Sequence, residues 1–201
     1  MKSLIPSVST PEGQKGIYRI ERKAIIVDPI HRLQDIFHGG RTVPDGTYTF
    51  LYRGGTLVMS DTPDEKRDHY EAVTEASGEC LIAGLGIGMV LNAIALKPEV
   101  THIDVVELSQ DVIDLVAPYY ENLYPGKITF HCASIFDWIP PKDKKYNMAW
   151  FDIWDNLCTD NLKEMATLHR KYGKKAVWKG SWGKDYLQYQ KRQENRNNWR
   201  Y

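Results

Sequence analysis

The sequence predicts an α/β protein with a doubly wound, mainly parallel sheet and a small N-terminal β-hairpin extension. Two patterns carry this. From Cys80 onward, short strand-like apolar runs alternate with segments of helical character, and the runs are apolar on both faces, as strands covered from both sides must be. Before Thr62 the chain instead shows β-type runs joined by turn residues. A length of 201 residues is room for about one domain, and 42% apolar residues are enough to build its core.

Taken in order, residues 1–16 are rich in Ser, Pro, Gly and Lys and are expected as a flexible arm. A β-rich extension follows over 17–61: IYRI at 17–20 and AIIV at 24–27 read as short strands, and HGGRTVPDG at 38–46 as a loop. TYTFLYR and TLVMS, joined by Gly54-Gly55, form a hairpin with Tyr48, Phe50 and Tyr52 alternating onto one covered face. Thr62-Pro63-Asp64-Glu65 then opens a helix: Thr suits the N-cap, Pro the first helical position, and Glu65 completes a capping box. This helix should run to about Ala76, with Gly78 ending it.

The main domain spans 62–183. Its strands are CLIAG (80–84), HIDVVE (102–107), KITFHC (127–132), YNMAWFD (146–152) and KAVWKG (175–180). Helices are expected over 89–96, after the N-cap Ser109 with a kink at Pro118, and over 160–172. A basic and aromatic tail, 184–201, closes the chain.

Composition excludes several function classes. Twenty-six basic residues balance 26 acidic ones, which argues against a nucleic-acid binder held by a global positive field. The tail has five basic and two acidic residues among Tyr186, Tyr189, Trp199 and Tyr201, but a charged helix docking on the body is commoner than base stacking. No run approaches the ~18 apolar residues needed to span a bilayer. MKSLIPSVST lacks the apolar stretch of a secretory signal, so a cytoplasmic protein without a membrane partner is expected. Cys80, Cys132 and Cys158 form no CxxC, and the six histidines form no HxH or HExxH, so neither a disulfide scaffold nor a metal is expected. The expected partner is a small-molecule substrate, with homo-oligomerisation left open.

Gly84, Gly86 and Gly88 follow a strand and precede a helix, where backbone must turn sharply and let a ligand approach. Glu107 lies 21 residues after Gly86 at the end of the second strand, where an acid can accept both ribose hydroxyl hydrogens of a nucleoside cofactor. A dinucleotide fingerprint wants GxGxxG, whereas this turn is GxGxG, which disfavours a nicotinamide-dependent oxidoreductase. AGLGIG after a strand resembles the first motif of class I S-adenosylmethionine-dependent methyltransferases. More narrowly, a hairpin ending in MSDTPDE, then Tyr70-Glu71, CLIAGLGIG, VVELS and FDIWDN resemble the spermidine synthase (aminopropyltransferase) branch over about Thr56 to Asp155.

The resemblance implies a shortened class I methyltransferase fold with S-adenosylmethionine, or its decarboxylated form, as cofactor. It implies that Glu107 binds the ribose, that the 84–88 turn with Leu85 cradles the amino-acid or aminopropyl end, and that Asp152 and Asp155 hold and deprotonate an attacking amine. Ser134 stands where the family has an acid that contacts the adenine amino group, and Ile135 beside it, Leu108 after Glu107 and Asp152 are candidate cofactor contacts as well. Tyr70 is a candidate hydroxyl donor near the cofactor. Asp61, Asp64 and Glu65 read either as amine-binding acids or as helix-capping groups. The Gly-Pro-rich segment that follows the paired acids in polyamine synthases is missing, as is most of the C-terminal region.

A carboxylate at Asp152, at the C-terminal end of the fourth strand, suits an amine nucleophile: it attracts the cation and accepts its proton. Strand alternation through 150–154 would place Trp150, Asp152 and Trp154 on one side, with Trp154 as a pocket wall. The expected function is an S-adenosylmethionine-binding group transferase, methyltransferase-like, acting on an amine or other small nucleophile. Aminopropyl transfer is the alternative, and a non-catalytic or cofactor-consuming binder a further one.

Overall fold

Residues 4–28 and 43–198 are described by the computed structural model, and they build two sheets. The first is antiparallel, in the order β1-β2-β3-β4: β1 (Gly13–Lys15), β2 (Tyr18–Ile25), β3 (Gly46–Arg53) and β4 (Thr56–Ser60). The extension is therefore a four-stranded sheet around the expected hairpin, which turns at Gly54-Gly55. The two runs expected at 17–20 and 24–27 merge into β2, because β3 pairs with it from Tyr18↔Arg53 to Ile25↔Gly46. Residues 38–42 of the expected loop, and Trp199 and Tyr201 of the tail, lie outside the described residues.

Of the arm expected at 1–16, the described residues 4–16 are anchored instead. Ile5, Val8 and Thr10 are buried. The Val8 N–H donates to Asp61 Oδ2 at 2.9 Å, and the Thr10 hydroxyl donates to the Ile87 carbonyl at 2.7 Å. Tyr48, Thr49, Phe50 and Leu51 are consequently all buried, so β3 is covered on both faces rather than one. Polar composition hid this because a few apolar residues at the right places suffice to hold a strap.

Asp61 is the knot of that strap. It is 1% exposed, and its two carboxylate oxygens accept from the N–H groups of Val8 and Thr49, the latter at 2.6 Å. Asp61→Asn keeps one acceptor and turns an NH2 against the other donor. It is expected to cost about 1–2 kcal/mol, with faster amide hydrogen exchange at Val8 as the local signature.

The second sheet is parallel throughout, in the order β7-β6-β5-β8-β9: β5 (Gly78–Ala83), β6 (Val100–Glu107), β7 (Ile128–Cys132), β8 (Tyr146–Phe151) and β9 (Ala176–Ser181). Alternation sends Cys80, Ile82, Ile103, Val105, Met148 and Trp150 into one core. That core is covered by the residues of α3 (Met89–Ala95), α4 (Gln110–Leu123) and the N-terminal sheet. Leu81, Ala83, Val106, Ala149 and Phe151 enter the other, under α5 (Asn161–Lys171). This is the expected doubly wound α/β architecture. The chain continues into α6 (Lys184–Asn198), and among the described residues no helix is long and apolar enough to cross a membrane.

The helix expected over 62–76 is broken in two. α1 (Pro63–Asp68) and α2 (Tyr70–Glu75) meet at His69, whose φ of −108° and ψ of 4° interrupt the helical ladder. Thr62 is the N-cap but makes no side-chain cap bond; Glu65 reaches past it, accepting from the Ser60 N–H at 2.7 Å and the Ser60 hydroxyl at 2.8 Å. The expected capping box therefore closes on Ser60 rather than on Thr62.

Candidate functional site

The strand order reverses between β5 and β8, so the crevice where open α/β sheets bind ligands lies at the carboxyl ends of these two strands. The β5–α3 turn crosses it. Gly84 has φ +92°, and a Cβ there would run into the Asp152 carbonyl oxygen. Gly86 has φ +52°, and a Cβ there would strike the Met59 sulfur, which β4 carries over the turn. From behind, the Thr10 and Tyr120 hydroxyls both donate to the Ile87 carbonyl. The turn is clamped on three sides.

In front of it opens a cavity of about 620 Å3, a size that suits a nucleoside-sized ligand. Of the residues predicted for the site, Gly84, Leu85, Gly86, Glu107, Leu108, Ser134, Ile135, Asp152 and Asp155 line it. Gly88 does not: it starts α3 and leaves room for the Tyr120 ring. Tyr70 does not either. The break between α1 and α2 turns His69 into the cavity, and Tyr70 packs against the core instead.

Glu107 ends β6 with both oxygens engaged, Oε2 accepting from the Leu85 N–H and Oε1 from the Ser109 N–H, each at 2.8 Å. These bonds lock the carboxylate over the glycine turn while leaving a second lone pair on each oxygen. The Ser134 hydroxyl oxygen accepts from the Phe136 N–H at 3.2 Å, and its proton remains to donate.

Asp152 follows directly on β8, tied by its N–H to the Ala83 carbonyl at 2.9 Å. Burial, then the negative charges of Glu65, Asp68 and Glu107, push its carboxyl up to about 7. At neutral pH it is therefore shared between acid and base forms. His69 Nε2 lies 3.5 Å from Asp152 Oδ2. The imidazole is 2% exposed, and burial pushes it down to about 4, so it is neutral there. Its ring meets Trp150 edge-on at 5.8 Å. Among the described residues its Nδ1 has no hydrogen-bond partner, and neither has Trp150 Nε1.

Asp155 sits at the mouth, ion-paired with Arg53 at the end of β3. Trp154 is not on the Asp152 side as alternation would have it: β8 stops at Phe151, and Trp154 packs on the opposite core, donating from Nε1 to Glu164 at 2.7 Å. It still forms part of the wall. Of the three capping or amine-binding acids, Glu65 lines the cavity, whereas Asp61 holds the strap and Asp64 pairs with Arg67.

Sequence reasoning missed His69, Asp68, Arg53, Met59 and Trp182, all of which line the cavity. Only the three-dimensional meeting of α1, β3 and β4 with the sheet brings them there. A second cavity of about 490 Å3 shares Asp68, Trp150 and Trp182 with the first. Among the described residues no group of three or more His, Cys, Asp or Glu is placed to hold a metal ion.

No protein-family model matches the chain, and no curated protein does. Among solved structures it is similar to the N-methyltransferase NodS from Bradyrhizobium japonicum in complex with S-adenosyl-L-homocysteine, at 14% identity and TM-score 0.45, over 58% of this chain and 59% of that one. It is also similar to the YcgJ protein from Bacillus subtilis, at 13% identity and TM-score 0.36, over 43% of this chain and 37% of that one. The chain thus covers less than two thirds of either structure's length.

Proposed function

We propose that the chain is a group transferase that binds S-adenosylmethionine at the glycine turn and passes a group to an amine. One observation carries this reading: six carboxylates (Glu65, Asp68, Glu107, Asp152, Asp155 and Glu164) line the cavity, and the one guanidinium among its described residues, Arg53, is already paired. Such a wall favours a cationic nucleoside and repels a dinucleotide pyrophosphate. The residues fit the cofactor. Glu107 can accept from ribose hydroxyls, the side-chain-free Gly84 and Gly86 let it approach, and Ser134 can meet the base.

When bound, the sulfonium supplies the electrophilic carbon. The protein's part is to align the amine and accept its proton. Asp152, poised near 7, attracts an ammonium in its ionised form and first takes a proton from it; the freed lone pair can then attack, and the pair of the broken C–S bond stays on sulfur.

The same excess of acid favours a second reading, aminopropyl transfer from decarboxylated S-adenosylmethionine. A methionine carboxylate would need a cation near the turn, and among the described residues the wall offers only Arg53, held by Asp155.

Calorimetric titration with S-adenosylmethionine, its decarboxylated form and methylthioadenosine separates these readings. Tighter binding of the carboxylated form supports methyl transfer; preference for the decarboxylated form supports aminopropyl transfer; no binding of any removes the cofactor. Glu107→Gln is expected to weaken the ligand that binds about 10- to 100-fold, the worth of a charge-assisted bond.

A further inference from the structure

We propose that His69 is the positioning residue of the site: its Nε2–H holds Asp152 Oδ2 and so leaves Oδ1 directed at the acceptor amine. This rests on the transferase reading for the identity of the amine, but the coupling of the two side chains stands on geometry alone.

The imidazole occupies the one break in the 63–75 helical segment, and the break is what turns it inward. It is buried in a T-shaped contact with Trp150, where an apolar side chain would also pack. Among the described residues its Nδ1 is instead buried with no partner, a costly arrangement that is kept where the polar atom has a use. The other nitrogen, Nε2, faces the carboxylate proposed to do the chemistry, at 3.5 Å. A lone pair turned toward an ionised oxygen would be repelled, so Nε2 carries the proton and Nδ1 the lone pair. The contact is long for a hydrogen bond, as such contacts often are before the substrate arrives.

The surroundings explain why a neutral donor is needed. Glu65 and Asp68 from α1, Glu107 from β6, Asp155 from the loop after β8 and Glu164 from α5 all line the cavity with Asp152; β3 contributes Arg53, which is held by Asp155. A lysine or arginine at position 69 would hold Asp152 permanently ionised and compete with the ammonium for it. A hydrocarbon would leave it protonated among like charges. A neutral imidazole orients the carboxylate and lowers its proton affinity only modestly.

The test uses the full chain and follows two spectroscopic signals. In wild type at pH 8 and above, where Asp152 is ionised, the 15N shifts of His69 should report a neutral Nε2–H tautomer. The 13C carboxyl signal of Asp152 should titrate at higher pH in His69→Phe, by about one unit. His69→Gln, which restores a donor where Nε2 stood, should return most of that shift. Where turnover is measurable, the acid limb of kcat moves with the carboxyl signal while KM stays within about twofold.

An Nδ1–H tautomer in wild type under those conditions overturns the proposal. So does an Asp152 titration that His69→Phe leaves in place, or one that His69→Gln shifts as far as His69→Phe does. If the titrations behave as expected and no adenosyl ligand binds, the coupling is upheld and the transferase reading falls by itself. Should His69→Phe fail to fold, the wild-type tautomer and His69→Gln decide the matter.

Discussion

Replacing Asp152 by asparagine is expected to lower turnover about 10^2- to 10^4-fold, the usual worth of a positioned base, while cofactor affinity changes less than about threefold. The separation follows from the proposed binding mode, in which Glu107 and the glycine turn would face the nucleoside and Asp152 the acceptor. Comparing kcat with calorimetric cofactor affinity checks it. Equal turnover in both proteins would remove Asp152 from the mechanism, and a chain that binds cofactor but shows no turnover even as wild type would point to the binder reading.

The same substitution has a stability signature whose sign can be worked out. Asp152 is raised from 3.8 to about 7, so the folded state holds its proton more tightly than the unfolded one. Its stabilising contribution is complete below about pH 4 and is lost as pH rises through about 7. His69 is lowered from 6.5 to about 4, so its contribution is complete above pH 6.5 and is lost as pH falls through about 4. Between pH 4 and 6.5 the two slopes oppose each other. Asp152→Asn removes the falling one, so the variant should gain stability relative to wild type steadily from pH 4 to 7, by a few kcal/mol in all. Urea unfolding at each pH measures the difference, and terms common to both proteins, such as the lowered His169, cancel. A pH-independent difference would mean that Asp152 is ionised throughout.

The parallel sheet was legible because its central strands β5 and β8 are short, almost continuously buried runs, which little else in a polar chain can be. Glu107 and Asp152 were legible for a related reason: topology fixes the ends of their strands, so a carboxylate just past them has few other places to go. The rest depended on contacts between distant segments. Asp155 looks identical in sequence whether it meets a substrate or Arg53, and the partner lies 102 residues away. His69 lies in a stretch whose caps and composition describe one continuous helix; its inward turn is decided by Trp150 and Asp152, from another element. Ile5 and Val8 give too little apolar signal to outweigh the polar residues around them, yet each fills a buried place on the body.

Gly84→Ala is expected to be the most damaging small substitution in the site, lowering stability by about 3 kcal/mol and the melting temperature by about 6–12 °C. Two costs add there. At φ +92° an alanine is strained wherever it stands, and its Cβ would meet the Asp152 carbonyl oxygen, a backbone atom. Neither side can yield easily: the Gly84 N–H donates to the Val106 carbonyl and the Asp152 N–H to the Ala83 carbonyl, both at 2.9 Å, which ties the turn to β6 and β8 to β5. Gly54→Ala provides the control, because Gly54 has φ +56° and nothing among the described residues within 4 Å of where its Cβ would stand, so strain acts alone; about 1 kcal/mol is expected. The contact also has a functional side. If the ends of β5 and β8 must part to admit a methyl group, Asp152 gains water, and its carboxyl should fall back toward the ordinary range even in molecules that remain folded. Gly84→Ala as stable as Gly54→Ala would mean that the strand ends already separate at little cost, and that close approach at Gly84 does not limit water at Asp152.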